Sequence, residues 1–235
     1  TQGVRYVNAH SLIVDACARG HVDLEVREPI VRDVRTHIER VHDARYVASV
    51  IDDQISAEWC EVDPVLAELA QLLVSGTLDA LDALLAGDTL TAVHLPGAKH
   101  HAHYDRSSGF CVFNDLAVAA TLASDRGLRV AILDIDAHHG DGTEALLRDN
   151  PQVLTYSVHE WGIFPGTGLD SDPATHTYNR PLLAQEASGD RLAELCEEFA
   201  GLAITFGADL VFIAAGADGH VNDPLTGMIW VNADY

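Results

Sequence analysis

Lysine is all but missing from this chain. Lys99 stands alone, and 14 basic residues face 36 acidic ones for a formal net charge of −22. So acidic a surface repels nucleic acid and anionic membranes and attracts cationic partners. It argues against direct nucleic-acid binding, although solubility or a high-salt adaptation explains the same balance. Paired cysteines are missing too: Cys17, Cys60, Cys111 and Cys196 are scattered, with no C-x-x-C. They read as reduced, mostly buried thiols of a cytosolic protein. No uninterrupted run of about 18 or more apolar residues, the length of a membrane span, occurs, and residues 1–20 have no leader profile. The expectation is a soluble, cytoplasmic protein without a membrane partner. The absence of G-x-S-x-G removes the usual serine-hydrolase signature. Repeats, linkers and low-complexity tracts are also absent, which leaves one domain over 1–235 as the expectation. Hydrophobic residues make up 48% of the chain, enough for a globular core rather than disorder.

One stretch organises the rest: Val130-Ala-Ile-Leu-Asp-Ile-Asp-Ala-His-His-Gly-Asp-Gly-Thr143. It opens as a buried strand of a parallel sheet. Asp134, Asp136 and His138 then fall at alternate positions, so on a continued strand all three leave from one side. Gly140 and Gly142 predict a turn, and Thr143 a cap for a helix over 144–148. Carboxylate and imidazole emerging at the carboxyl end of a buried strand have the chemistry of divalent-metal ligands, at the edge where open α/β sheets bind. The plainer reading is a polar strand end with hydrogen-bonded aspartates. Such a cluster still needs partners or solvent.

Upstream, the pattern predicts a short helix over 11–18, a strand within 22–31, and a helical stretch over 32–50 in which His37 and His42 are surface or packing residues. Residues 63–85 read as two helices broken around Ser75-Gly76, started by Asp63-Pro64 and ended by Gly87-Asp88. Residues 90–95 are a short strand candidate. The stretch from His94 to Asp115 carries too much Gly, Pro and His for regular structure and reads as a functional loop. A helix over 116–122, a strand over 153–157, a helix over 190–206 and a strand over 209–215 complete the pattern. This alternation implies parallel βαβ units. Three strand ends then supply chemistry: Asp136 with His138, Ser157 with Val158, and Asp218. Two carboxylates and one imidazole would leave open positions for water and a substrate oxygen.

Five motifs carry a more specific likeness. They are Gly97-Ala-Lys-His-His-Ala, Ser108-Gly-Phe-Cys-Val-Phe-Asn-Asp, Asp134-Ile-Asp-Ala-His-His-Gly-Asp-Gly-Thr, Phe164-Pro-Gly-Thr-Gly and Gly216-Ala-Asp-Gly-His-Val-Asn-Asp-Pro-Leu. In this order the chain resembles the zinc-dependent histone deacetylase family, and among its branches the bacterial acetoin-utilisation-type deacetylases. Arg40-Val-His-Asp-Ala-Arg-Tyr-Val adds a weaker match. The resemblance implies the arginase/deacetylase fold, a three-layer α/β architecture with a mainly parallel sheet and helices on both faces. It assigns zinc, with ferrous iron as an alternative, to Asp136, His138 and Asp218. His100 and His101 match the catalytic histidine pair, oriented by Asp134 and Asp141 respectively. Backbone oxygens of Asp134, Asp136, His138 and Val158, with the Ser157 side chain, match a structural potassium site. Gly109, Phe110 and Phe164 match the acyl-lysine tunnel. The partner implied is an acylated lysine peptide or protein, or an acylated small amine.

The likeness departs at both ends. The family's oxyanion tyrosine sits in a Gly-rich turn after the last strands, whereas here Met228–Tyr235 closes the sequence and Tyr235 has no such context. The usual Gly-His-Pro pattern near Asn8–His10 is also absent. The expectation is therefore a deacetylase domain lacking its C-terminal part, acting as an amide hydrolase. A zinc-containing acyl-lysine-binding module without the oxyanion donor is the alternative. A two-manganese ureohydrolase of the related fold would need more aspartate ligands. His103, His159 and His220 match no catalytic role and are expected at the rim of the site; His10, His21, His94 and His176 read as ordinary polar or core histidines.

Overall fold

The computed structural model describes residues 2–29, 32–56 and 64–235, with side chains from Tyr6 onward. Four segments pair in parallel: β1 (Val130–Asp134), β2 (Val153–Glu160), β3 (Thr177–Leu182) and β4 (Leu210–Ala214), in the order β3-β2-β1-β4. Alternation along a strand sends side chains to opposite faces. On β1, Val130 and Ile132 enter one core, while Ala131 and Leu133 enter the other. The first core holds α2 (Arg35–Ile38), α3 (Ala44–Ile51), α4 (Leu66–Ala86) and α5 (Asp115–Ser124). Ile38, Val47, Val74, Leu78, Ala117 and Ala120 pack there on Ile132 and Phe212. The second core sets Leu195, Phe199 and Ala203 of α7 (Gly189–Phe206) on Leu154, Tyr156 and Trp230. The three-layer α/β expectation is met.

α5 is apolar around most of its circumference and buried around it, as a helix wedged between layers must be. Its alanines at 117, 119, 120 and 123 are all at 0% exposure. α4 has the length and composition of a membrane span. Here its Ala70, Val74, Leu78 and Leu81 are core residues.

Several local expectations need correcting. The first helix is longer than 11–18, running Gln2–Ala18. Residues 22–29 carry no strand, and 30–31 lie outside the described residues. The proposed cap Asp63 also lies outside them; α4 begins at Leu66 after Val65. α4 does not break at Ser75-Gly76. Ser75 returns its hydroxyl to the Gln71 carbonyl (2.8 Å), and Gly76 lies against the His94 ring, where any side chain would collide. Residues 90–95 form no strand: Leu90 is 98% exposed and pairs with no sheet edge. β1 ends at Asp134, so Asp136 and His138 sit on the following loop. Thr143 is not a cap. α6 (Asp141–Leu147) starts after Gly140, and Thr143 instead ties its N–H to the His100 carbonyl at 3.0 Å. β3 was not foreseen at all.

His42 is a packing residue with a specific task. The Asn114 N–H donates to its Nε2 (3.0 Å), so its Nδ1–H donates to the His103 carbonyl (2.7 Å). It thus pins the His100–His103 segment to the start of α5. Burial holds its imidazole at about 4, against the hydrogen bond to His103, while an unfolded imidazole titrates near 6.5. The unfolded chain therefore takes up this proton first. Its stabilisation is fully present above pH 6.5 and is lost as pH falls toward 4. Urea unfolding is expected to show His42 accounting for about 2 kcal/mol of lost stability between pH 7.5 and 5. The His42→Gln protein should lose correspondingly less over that interval; an equal loss in both proteins would contradict the assignment.

Candidate metal centre and its histidine pairs

The loop after β1 is shaped by its own aspartates. Asp134 Oδ1 accepts the Asp136 N–H (3.0 Å), and Asp136 Oδ1 accepts the His138 N–H (2.8 Å). Short side chains bonding the backbone two residues on make Asx turns. Here two in succession set Asp136 and His138. From the loop after β4, Asp218 Oδ1 accepts the Ala137 N–H (3.0 Å), tying the two sheet-edge loops together. Gly216 permits that approach, because a Cβ there would collide with the Asp136 carboxylate.

The result is a convergence of three ligand-type atoms. Single atoms from Asp136, His138 and Asp218 lie within 4.8 Å of one another. His138 Nδ1 sits 2.7 Å from Asp218 Oδ2 and 3.1 Å from Asp136 Oδ1. Those two carboxylates hold a proton on His138, raising it to about 10. Two anionic oxygens and an imidazole nitrogen in one spot fit a divalent cation, which would displace that proton.

Two imidazoles stand beside this centre, with ring centroids 4.0 Å apart. His100 and His101 are 4% and 5% exposed. The segment carrying them is clamped at its start by buried Asp115 of α5, which accepts the Ala98 N–H (3.0 Å), the Lys99 N–H (2.6 Å) and the Thr77 hydroxyl. His100 Nδ1 bonds Asp134 Oδ2, and His101 Nδ1 bonds Asp141 Oδ1, each at 2.7 Å. A carboxylate behind an imidazole fixes its tautomer and raises its basicity. The two rings nevertheless diverge. Burial disfavours the charge on His100, but Asp134 and Asp136 outweigh it and carry the group to about 9. Burial wins at His101, which is lowered despite its bond to Asp141, with His100 adding repulsion.

The tunnel candidates flank these rings. Phe164 packs edge-on to His101 at 5.0 Å between centroids and 6.3 Å from His138. Gly109 lies directly against the His101 ring. Gly109 and Phe110 both adopt positive φ (53° and 64°), and Phe110 projects outward, 68% exposed. A non-glycine residue held there is a strained feature of the kind found at functional sites. The potassium candidates Asp134 and Ser157 are register partners on adjacent strands. Val158 is buried beside them.

One of the expected rim histidines is elsewhere. His159 is buried in the core at 1% exposure, its ring tilted against that of His139 (4.6 Å between centroids), and bonded to Ser157 Oγ and the Gly168 carbonyl, each at 3.0 Å. His103 bonds Asp141 directly through Nε2 (2.9 Å). His220 does stay on the loop following Asp218, where its Nδ1 accepts the Asn222 N–H (3.2 Å). Sequence reasoning also missed a buried network in which Glu144 accepts from His139 (3.0 Å) and Asn179 (2.7 Å). No spacing rule joins residues 139, 144 and 179; only the unforeseen β3 brings Asn179 there.

A histone deacetylase domain model matches residues 8–235. The chain belongs to the histone deacetylase family. It is 40% identical over 177 residues to the acetoin utilization protein AcuC of Bacillus subtilis strain 168, covering 71% of this chain and 46% of that protein. It is 39% identical over 164 residues to AcuC of Staphylococcus aureus strain COL, covering 66% and 42%. The chain thus spans just under half the length of these curated relatives. Among solved structures, the crystal structure of the HDA15 HD domain superposes with a TM-score of 0.75 at 25% identity, over 90% of this chain and 65% of that one. The likeness extends the α/β architecture seen here to the arginase/deacetylase class.

Removing either carboxylate of the convergent set leaves too few ligands for a stable complex. Asp136→Ala and Asp218→Ala are each expected to lower bound divalent metal, measured by elemental analysis after dialysis, to background. One equivalent of metal retained in both variants would refute the ligand set.

Proposed function

We propose that this chain is the metal-binding part of a zinc-dependent amide hydrolase that removes acetyl or related acyl groups from lysine side chains or small acylated amines. The observation that carries the reading is the convergence of Asp136, His138 and Asp218 beside two carboxylate-backed imidazoles. Ferrous iron would suit the same donors. When bound, the metal polarises the amide carbonyl and acidifies a water molecule. The protein groups do the proton work. His101, neutral and with its Nδ1–H on Asp141, offers its Nε2 lone pair as the base for water. The proton it gains passes to the leaving amine as the C–N bond breaks. His100, held cationic by Asp134, opposes the negative charge developing on the carbonyl oxygen.

Substrate and setting follow from the surroundings. Phe164 and Phe110 would grip a neutral acylated stem and reject a free ammonium, whose desolvation is costly. A net charge of −22 favours cationic partners such as basic protein tails or polyamine derivatives over nucleic acid. Asp134, Asp136, His138, Ser157 and Val158 would hold a structural potassium ion between β1 and β2. Cys17, Cys111 and Cys196 are free thiols, consistent with work in the reducing cytoplasm.

The test is hydrolysis of an acetyl-lysine peptide by zinc-loaded protein, with and without a chelator. Turnover that disappears with chelation and returns with zinc supports the hydrolase. Tight hydroxamate binding without turnover would point to an acyl-lysine-binding module instead. The two histidines also set the pH dependence. Activity should rise with pH as His101 loses its proton below the ordinary imidazole range, then decline at higher pH as His100, which Asp134 holds protonated above that range, loses its own. A kcat/KM profile flat from pH 5 to 10 would contradict these roles.

A further inference from the structure

Asp141 is gripped from both sides. Its Oδ1 faces His101 Nδ1 at 2.7 Å, and its Oδ2 faces His103 Nε2 at 2.9 Å. Against the effect of burial, these two imidazoles hold the Asp141 carboxyl below its ordinary range. An ionised carboxylate only accepts, so each ring nitrogen facing it carries the hydrogen. The family resemblance gives roles to His101 and Asp141 but none to His103.

A carboxylate with one partner turns easily, because its terminal torsion is broad and two-fold. A second donor on the far oxygen removes that freedom. His103 is itself well anchored. Its N–H donates to the Arg106 carbonyl (3.0 Å), and its carbonyl accepts the Nδ1–H of buried His42 (2.7 Å). The next carbonyl, of Tyr104, accepts the Asp43 N–H (2.7 Å) at the start of α3. The outer side of His103 borders a cleft of about 470 Å³, also lined by Arg106, Ser108, Glu144 and Arg148. His103 therefore joins a rigid scaffold to the one carboxylate that orients the proposed base.

We propose that His103 is a positioning residue for His101, acting through Asp141. Its Nε2–H fixes the carboxylate plane, which keeps the His101 proton on Nδ1 and the lone pair on Nε2, toward the metal centre. The inference rests on the reading of His101 as the base.

Two substitutions in the zinc-loaded 235-residue protein test it. His103→Leu removes the donor, and His103→Gln keeps an N–H able to reach Asp141. The expected result for His103→Leu is a loss of about tenfold in kcat with KM unchanged. His103→Gln should recover to within about threefold of the parent. In an Asp141→Asn background, His103→Leu should cause no additional loss, since both act through one contact. Independently of turnover, nitrogen-15 NMR of the histidine rings should find His101 as a single Nδ1–H tautomer in the parent and in His103→Gln, and as a mixture in His103→Leu. Absence of turnover in the parent would defeat the functional reading, while the NMR result would still decide the role of His103. A single unchanged tautomer in His103→Leu, or equal kcat in all three proteins, overturns the proposal.

Discussion

Carboxylates taken out of water need cations or donated hydrogens, and this chain sets Asp134, Asp136 and Asp141 within eight positions of one another at the sheet's carboxyl edge. Asp218 arrives there from the end of a neighbouring strand. The surrounding structure is arranged to satisfy them. Asp134 and Asp141 each take an imidazole, His100 and His101. Backbone N–H groups of residues 136, 137 and 138 occupy further oxygens. Asp136 and Asp218 are left sharing the single nitrogen of His138. That excess of negative charge is what the proposed cation would neutralise.

The fold supplies what such a centre requires, namely fixed positions for residues on irregular backbone. Buried Asp115 holds the chain just before the histidine pair, Thr143 holds the His100 carbonyl, and His42 holds the His103 carbonyl. These anchors sit on α5, α6 and just before α3, so the helical layer beside the sheet is also the frame of the site. Closely packed alanines on α5 bring that frame near β1. Stability and site geometry therefore depend on the same contacts.

Much of this was legible because the chemistry is local. The run from Val130 to Thr143 carries a buried strand, two candidate ligands and two imidazole-bonded carboxylates in one stretch, and β4 announces Asp218 by its own apolar pattern. The order of the motifs gave the fold class through family resemblance. What was not legible depends on partners far along the chain. β3 carries Asn179, Arg180 and Pro181, which break the expected alternation, and it exists because β2 offers it an edge. Residues 90–95 have strand-like composition but no such edge, so Leu90 and Val93 stay exposed. The contact from His103 to Asp141 spans 38 positions between two loops. No periodicity predicts it. The same holds for α4, which continues through Ser75-Gly76 because His94 fills the space against that glycine.

The central claim is that the Asp136–His138–Asp218 cluster is built for a divalent cation, and calorimetric unfolding of metal-stripped protein tests it most directly. One equivalent of zinc should raise the unfolding temperature by about 5–10 °C, since only the folded chain brings the three ligands together. The rise should be absent in Asp218→Ala. An unfolding temperature that zinc leaves unchanged in the parent protein would contradict the account.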